Sequence, residues 1–159
     1  MFAGKAIEHD VSSWADPFGL IGSIAEVESK FGLYNLPKHE RAFDLGGKYE
    51  NLSRWKRWGA WAACSYSSFQ IMYPVACEVG YDEDPWDRPP SDLWDDHVAI
   101  HWVLTYIRER ILEQGVSTIK DFADAYNSGT HKDRLIPEDY IFKFTKAYQT
   151  VVEKYGLKL

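Results

Sequence analysis

The stretch His97-Val98-Ala99-Ile100-His101-Trp102-Val103-Leu104-Thr105-Tyr106-Ile107-Arg108-Glu109-Arg110-Ile111-Leu112-Glu113-Gln114-Gly115 carries the clearest periodicity in the chain. Ile100, Val103, Leu104, Ile107 and Ile111 recur at helical spacing, so one face of a helix is apolar along its whole length. Gly115 supplies the C-terminal stop, because glycine takes the left-handed conformation that ends helices at little cost. This pattern predicts a central buried helix and a fold assembled from helices around it.

Downstream, Thr118 is placed to cap a short helix with the stripe Ile119, Phe122, Ala123 and Tyr126, ended by Asn127-Ser128-Gly129. A last helix is predicted from Pro137, with Tyr140, Phe144, Ala147, Val151 and Tyr155 turned inward. Upstream, Asp82 to Asp96 is acidic and broken by Pro85, Pro89 and Pro90, the pattern of an exposed loop. Leu52 to Cys64 places Trp55, Trp58 and Ala62 on one helical face, Ser65-Tyr66-Ser67-Ser68 interrupts it, and a second apolar run starts at Phe69. Gly32 to Asn51 reads as loop or short hairpin, with alternation around Arg41-Ala42-Phe43-Asp44-Leu45. Asp16-Pro17 is an N-cap followed by proline at the first helical position, opening a helix to about Phe31. Ile21, Ile24, Ala25, Glu28 and Phe31 share its apolar face, and Glu26 with Lys30 forms a surface pair on the other. The expected fold is mainly α, of α+β kind, with a central buried helix and a small loop or β-hairpin insert. With no linker-like tract, 159 residues are expected to form a single domain with its core at about 17–155.

A hydrophobic content of 45%, with 16% aromatic residues, is enough to drive collapse into a packed globule. The formal charge of −6 argues against a nucleic-acid partner, which would need cations that acids do not outweigh. The one basic cluster, Arg54-Trp55-Lys56-Arg57-Trp58, reads as a solvated helix face, or as basic and aromatic groups tracking an anionic polymer such as a cell-wall glycan. Cys64 and Cys77 form no Cys-x-x-Cys motif, and a disulfide between them is possible without being indicated. No run has the length of a signal peptide's apolar core or of a membrane span, so no export signal and no membrane insertion are expected. A monomer is expected.

A carboxylic acid on an apolar helix face loses solvation of its charged form, which suits a general acid, and Glu28 occupies such a position. Periodicity alone equally allows Glu28 to be ion-paired or to reach solvent at the edge of the stripe. The residues around it add a more specific signal. Glu28-Ser29-Lys30-Phe31, then Phe69-Gln70-Ile71-Met72-Tyr73-Pro74, then Ala125-Tyr126-Asn127-Ser128-Gly129 resemble, in order, three signatures of the soluble lytic transglycosylases and goose-type lysozymes. Leu93 through Ile107 is similar to the central helix of that superfamily, and Pro137-Glu138-Asp139-Tyr140-Ile141 to a fifth segment.

The resemblance implies a lysozyme-like fold and cleavage of peptidoglycan glycan strands between N-acetylmuramic acid and N-acetylglucosamine. It makes Glu28 the catalytic acid and Ser29 the group that steadies its carboxylate. Gln70 and Asn127 would bind the sugars, and Tyr126 and Tyr140 would lie close to Glu28 or the acetamido group. In the transglycosylases the N-acetyl group of the substrate assists, and its C6 hydroxyl closes a 1,6-anhydro sugar without a second carboxylate, an exception to the two-carboxylate scheme. No cofactor and no metal are implied.

The chain also departs from the pattern. Ser67 stands where the family has glycine, which limits positive backbone φ; Ser68 stands for leucine, and Tyr73 is inserted before Pro74. Both serines lie in the segment expected to line the substrate. The gap between Glu28 and Gln70 is about twice the family's and holds Asp44 and Glu50. Either could serve as the second carboxylate of a hydrolytic, goose-type lysozyme.

Other constellations are weaker. His97 and His101 have helical spacing for zinc but lack the glutamate of a metalloprotease motif, and Asp82-Glu83-Asp84-Pro85-Trp86-Asp87 breaks the calcium-loop pattern. A reading from another class keeps Trp55, Trp58, Gln70 and Tyr126 as the sugar groove of a non-catalytic binding module for peptidoglycan or chitooligosaccharides. Action at the bacterial wall without an export signal is expected of a phage endolysin, of a virion-borne enzyme, or of a bacterial enzyme lacking its leader.

Overall fold

The computed structural model describes residues 11–157 apart from 12, 83–87 and 130–136. The fold is mainly α with a small three-stranded antiparallel sheet. The helices whose bounds lie among the described residues are α1 (Pro17–Ser29), α2 (Leu52–Trp58), α3 (Tyr73–Cys77), α4 (Asp96–Tyr106), α5 (Ile119–Ser128) and α6 (Glu138–Tyr155), joined in places by short 3₁₀ turns. The strands are β1 (Lys38–His39), β2 (Cys64–Tyr66) and β3 (Ile71–Met72), in the order β1-β2-β3. The chain divides into two compact units, residues 1–27 with 104–159, and residues 28–103.

The first unit is helical. The Asp16 carboxylate accepts from the backbone N–H groups of Phe18 and Gly19 at 2.9 and 3.0 Å, so the predicted cap of α1 forms. The Asp16 backbone N–H donates to the Tyr148 hydroxyl of α6 at 2.7 Å. Gly19 and Gly22 permit close helix contact. A Cβ on Gly19 would stand 2.8 Å from both Tyr148 and Val152, and one on Gly22 2.9 Å from Val151. The core of this unit holds Leu20, Ile24, Ile107, Ile111, Phe122, Phe144 and Val152, each almost fully buried. Thr118 accepts from the Asp121 N–H at 3.1 Å, and Gly115 and Gly129 end their helices with φ of 79° and 82°, as the sequence predicts. The predicted central helix is α-helical to Tyr106, then widens into a π-helical turn over Ile107–Ile111.

The second unit carries the sheet. Lys38 pairs with Ser65 and His39 with Cys64; Ser65 pairs with Met72 and Tyr66 with Ile71. Tyr66, Tyr73, Tyr81 and Leu93 are almost fully buried, and the rings of Tyr73, Tyr81 and Trp102 meet edge to face. Cys64 and Cys77 are buried free thiols, and burial raises both above their ordinary pKa, Cys77 to about 12.

Several local expectations are corrected. Lys38–His39 pairs with Cys64–Tyr66, which forms the tight hairpin with Ile71–Met72, while Arg41–Phe43 is a 3₁₀ turn. Ser65-Tyr66, read as a break, is strand. α1 ends at Ser29 because Lys30 and Phe31 take φ of 52° and 55°, which swings Phe31 outward to 51% exposure. Lys30 accordingly leaves the helix and lies 5.8 Å from the Tyr34 ring centroid. α2 stops at Trp58, with Ala62 in the 3₁₀ turn beyond it. Tyr155 is 58% exposed, while Tyr148 and Val152 are buried beside Ala147 and Val151, because the two successive steps of four from Ala147 to Tyr155 drift around a helix of 3.6 residues per turn.

Candidate functional site

The sequence candidates fall into two groups, one in each unit. In the second unit, Glu28 is half-buried on the last turn of α1 and Ser29 beside it is buried. The Ser29 hydroxyl donates to the Ser68 carbonyl at 2.8 Å and accepts from the Gly32 N–H at 2.7 Å. The end of the Glu28 helix is thereby tied to the turn joining β2 to β3. That turn runs from Ser67 to Gln70, and both ends have positive φ, 68° at Ser67 and 49° at Gln70. Ser67 therefore adopts the left-handed backbone that favours glycine, at a cost of about 1 kcal/mol. Serine at this position, expected to limit positive φ, leaves it in place.

Neighbouring groups hold that conformation. The Ser67 hydroxyl accepts from the Phe69 N–H at 3.2 Å, and the Ser67 carbonyl accepts from the Gln70 N–H at 3.2 Å and from Gln70 Nε2 at 3.0 Å. Gln70 Oε1 accepts from the Ser65 hydroxyl at 2.7 Å. The Gln70 amide is thus oriented at both ends while its side chain stays half-exposed.

Asp96, on the first turn of α4, is a site residue that periodicity does not find. Its carboxylate accepts from the Ser68 N–H at 2.8 Å and from the Ser68 hydroxyl at 2.5 Å. Asp95 caps the same helix by accepting from the His97 N–H at 2.8 Å, so the acidic pair divides its work. Gly32 completes the arrangement. Its φ is 84°, and a Cβ there would stand 2.8 Å from the Ser68 hydroxyl.

The possible second carboxylates have structural partners. Asp44 Oδ1 accepts from Trp55 Nε1 at 2.7 Å and from the Leu45 N–H at 2.8 Å, while Oδ2 lies 2.9 Å from His39 Nε2. The Leu45 N–H, then the Trp55 indole, hold its pKa below the ordinary carboxylate value. Glu50 accepts from the Gly46 N–H at 2.6 Å and closes the loop in which the Tyr49 N–H donates to the Ala42 carbonyl at 2.7 Å. In the basic cluster, Arg54 is paired with Asp82 at 3.0 Å, the Arg57 guanidinium lies 5.2 Å from the Trp58 ring centroid, and Lys56 and Arg57 are exposed.

In the first unit, Tyr126 packs edge to face on Tyr106 and stacks with Phe122, and Tyr140 stacks with Phe144, which itself contacts Phe122. This chain of rings links the two candidate tyrosines, and Asn127 is exposed next to Tyr126 on α5. Tyr126 and Tyr140 are half-buried, a presentation that suits a sugar face.

His97 and His101 are exposed on α4, and His101 meets the Trp102 ring edge to face. Among the described residues no group of three His, Cys, Asp or Glu side chains could hold a metal ion. The Asp82-to-Asp87 segment lies mostly outside the described residues. Among the described residues, no helix is long and apolar enough to cross a membrane. Comparison with protein-family models, curated proteins and solved structures finds no match to this chain.

Proposed function

We propose that this chain cleaves the glycan strands of peptidoglycan between N-acetylmuramic acid and N-acetylglucosamine as a lytic transglycosylase, with Glu28 as its acid and base. The observation that carries the reading is the hydrogen bond from the Ser29 hydroxyl to the Ser68 carbonyl, which joins the Glu28 segment to the Gln70 segment across 39 residues of chain. A general acid needs a fixed position against a bound substrate, and this clasp supplies one.

In the proposed reaction the Glu28 carboxylic acid protonates the glycosidic oxygen as the bond from the muramic acid C1 breaks. The acetamido oxygen of the substrate closes on C1, taking the place of an enzymic nucleophile. The Glu28 carboxylate then removes the proton of the C6 hydroxyl, whose oxygen attacks C1 and expels the acetamido oxygen. The product is a 1,6-anhydro sugar, no water is consumed, and Glu28 ends protonated. Gln70 accepts through Oε1 from Ser65 and donates through Nε2 to the Ser67 and Leu36 carbonyls, so its sugar-binding role, like those of Tyr126, Asn127 and Tyr140, rests on the resemblance.

The engagement of both Asp44 oxygens, with its depressed pKa, makes that residue a weak base for water and favours the anhydro route over hydrolysis. The test is a digest of purified peptidoglycan by wild type and Glu28→Gln, with products resolved by mass. Anhydro products from the wild type and none from the variant support the proposal. Reducing ends would move it to a lysozyme, with Glu50 and Asp44 as the next substitutions. An inactive wild type that still binds the polymer would leave a binding module.

A further inference from the structure

The segment from Lys30 to Trp61 differs from the rest of the chain in charge and in what it exposes. It holds seven Lys and Arg against three Asp and Glu, a formal +4 in a chain of −6, which leaves −10 elsewhere; Arg54 is paired with Asp82 outside the segment. Each of its acids is occupied within the segment: Glu40 with Lys38 at 2.6 Å, Asp44 with His39 and Trp55, and Glu50 with the Gly46 N–H. Lys30, Arg41, Lys48, Lys56 and Arg57 are all exposed. Of the twelve large hydrophobic residues exposed among the described residues, eight lie between Phe31 and Trp61, including all four leucines, Leu33, Leu36, Leu45 and Leu52. Leu33 and Leu36 are 70% and 71% exposed, far beyond what core packing leaves outside.

We infer that this segment docks the protein on the surface of an anionic lipid bilayer. Cations draw the segment to acidic headgroups, and exposed aliphatic side chains leave water for the acyl boundary. Tyr34, Tyr49 and Trp61, each more than half exposed, have the amphipathic rings that settle at headgroup depth. The leucines separate this occupant from a glycan or other wall polymer, because sugar recognition uses aromatic faces and hydrogen bonds and gains little from exposed aliphatic groups. The charge separates it from a second copy, since two such faces repel. The segment would lie at the membrane surface, with no helix crossing the bilayer. This inference does not depend on the glycan-cleaving reading, and its test measures binding and not cleavage.

The test is co-sedimentation of the full chain with vesicles of equal parts phosphatidylglycerol and phosphatidylcholine, and with vesicles of phosphatidylcholine alone. Wild type is expected to bind the anionic vesicles and to leave the neutral ones, with binding weakened by high salt. Leu33→Ser with Leu36→Ser, and separately Lys48→Glu with Lys56→Glu, should each weaken binding by about tenfold or more. All four side chains are exposed, and unchanged circular dichroism of both variants establishes that they fold. Absence of wild-type binding to anionic vesicles overturns the inference. Full binding by the leucine variant overturns it as well, because attraction would then be charge alone. Sedimentation with insoluble wall polymer while the anionic vesicles stay empty overturns it in favour of a polymer surface.

Discussion

Asp96 grips Ser68 twice, accepting from its backbone N–H at 2.8 Å and from its hydroxyl at 2.5 Å, and so fixes the turn whose carbonyl receives the Ser29 hydroxyl. Hydrogen bonds to a carboxylate are stronger than neutral ones, but the Asp96 side chain is exposed, so solvent weakens the pair. Asp96→Ala is expected to lower stability by about 1–2 kcal/mol in urea unfolding. If the proposed glycan cleavage is this chain's activity, it should fall in kcat more than it rises in KM, because the end of the Glu28 helix is tied to the same turn. Unchanged kcat would remove Asp96 from the positioning of Glu28.

Gly19 faces a ring that cannot move aside cheaply, because Tyr148 is buried and its hydroxyl accepts from the Asp16 N–H. Gly19→Ala would gain up to about 1 kcal/mol of helix propensity but place its Cβ 2.8 Å from Tyr148 and Val152. Overpacking costs about 1–3 kcal/mol in such cores, so a net loss of stability is expected. An unchanged or raised Tm would show that α1 and α6 separate more easily than their contact implies.

Asp44 titrates below its ordinary pKa of 3.8. A carboxylate depressed by folding stabilises the native state above the ordinary carboxylate range, and that contribution is lost as pH falls through the depressed value. Carboxyl chemical shifts of Asp44, followed with the Trp55 indole N–H resonance, should report one transition below pH 3.8. Asp44→Asn should abolish the pH dependence of the indole signal. A midpoint at or above the ordinary value would contradict the hydrogen bonding described.

The buried thiols give the opposite sign at high pH. Burial pushes Cys77 from 9.0 up to about 12, so the native state keeps a neutral thiol that the unfolded chain ionises. The resulting stability is present below pH 9.0 and declines as pH rises toward the folded value. Thiol labelling at pH 8 should therefore be slow for Cys64 and Cys77 and track global unfolding. Rapid labelling in native buffer would show local opening around β2 or α3.

The sequence by itself determined the helices, because periodic apolar positions and their stop signals are local. Asp16, Thr118, Gly115 and Gly129 cap or end helices where their residue types require it, and Val103, Ile107 and Ile111 are buried as their spacing predicts. The same local logic failed at Phe31 and Tyr155, where positive φ or helical drift turned an apolar residue outward. Only tertiary structure decided the sheet, since strands of two or three residues are too short to show alternation and are selected by their partners. The role of Asp96 was likewise illegible, because its partner lies 28 residues away and a second aspartate at a helix start looks like another capping group. The positive φ at Ser67 was hidden for a similar reason: serine disfavours it locally, and the surrounding hydrogen bonds impose it.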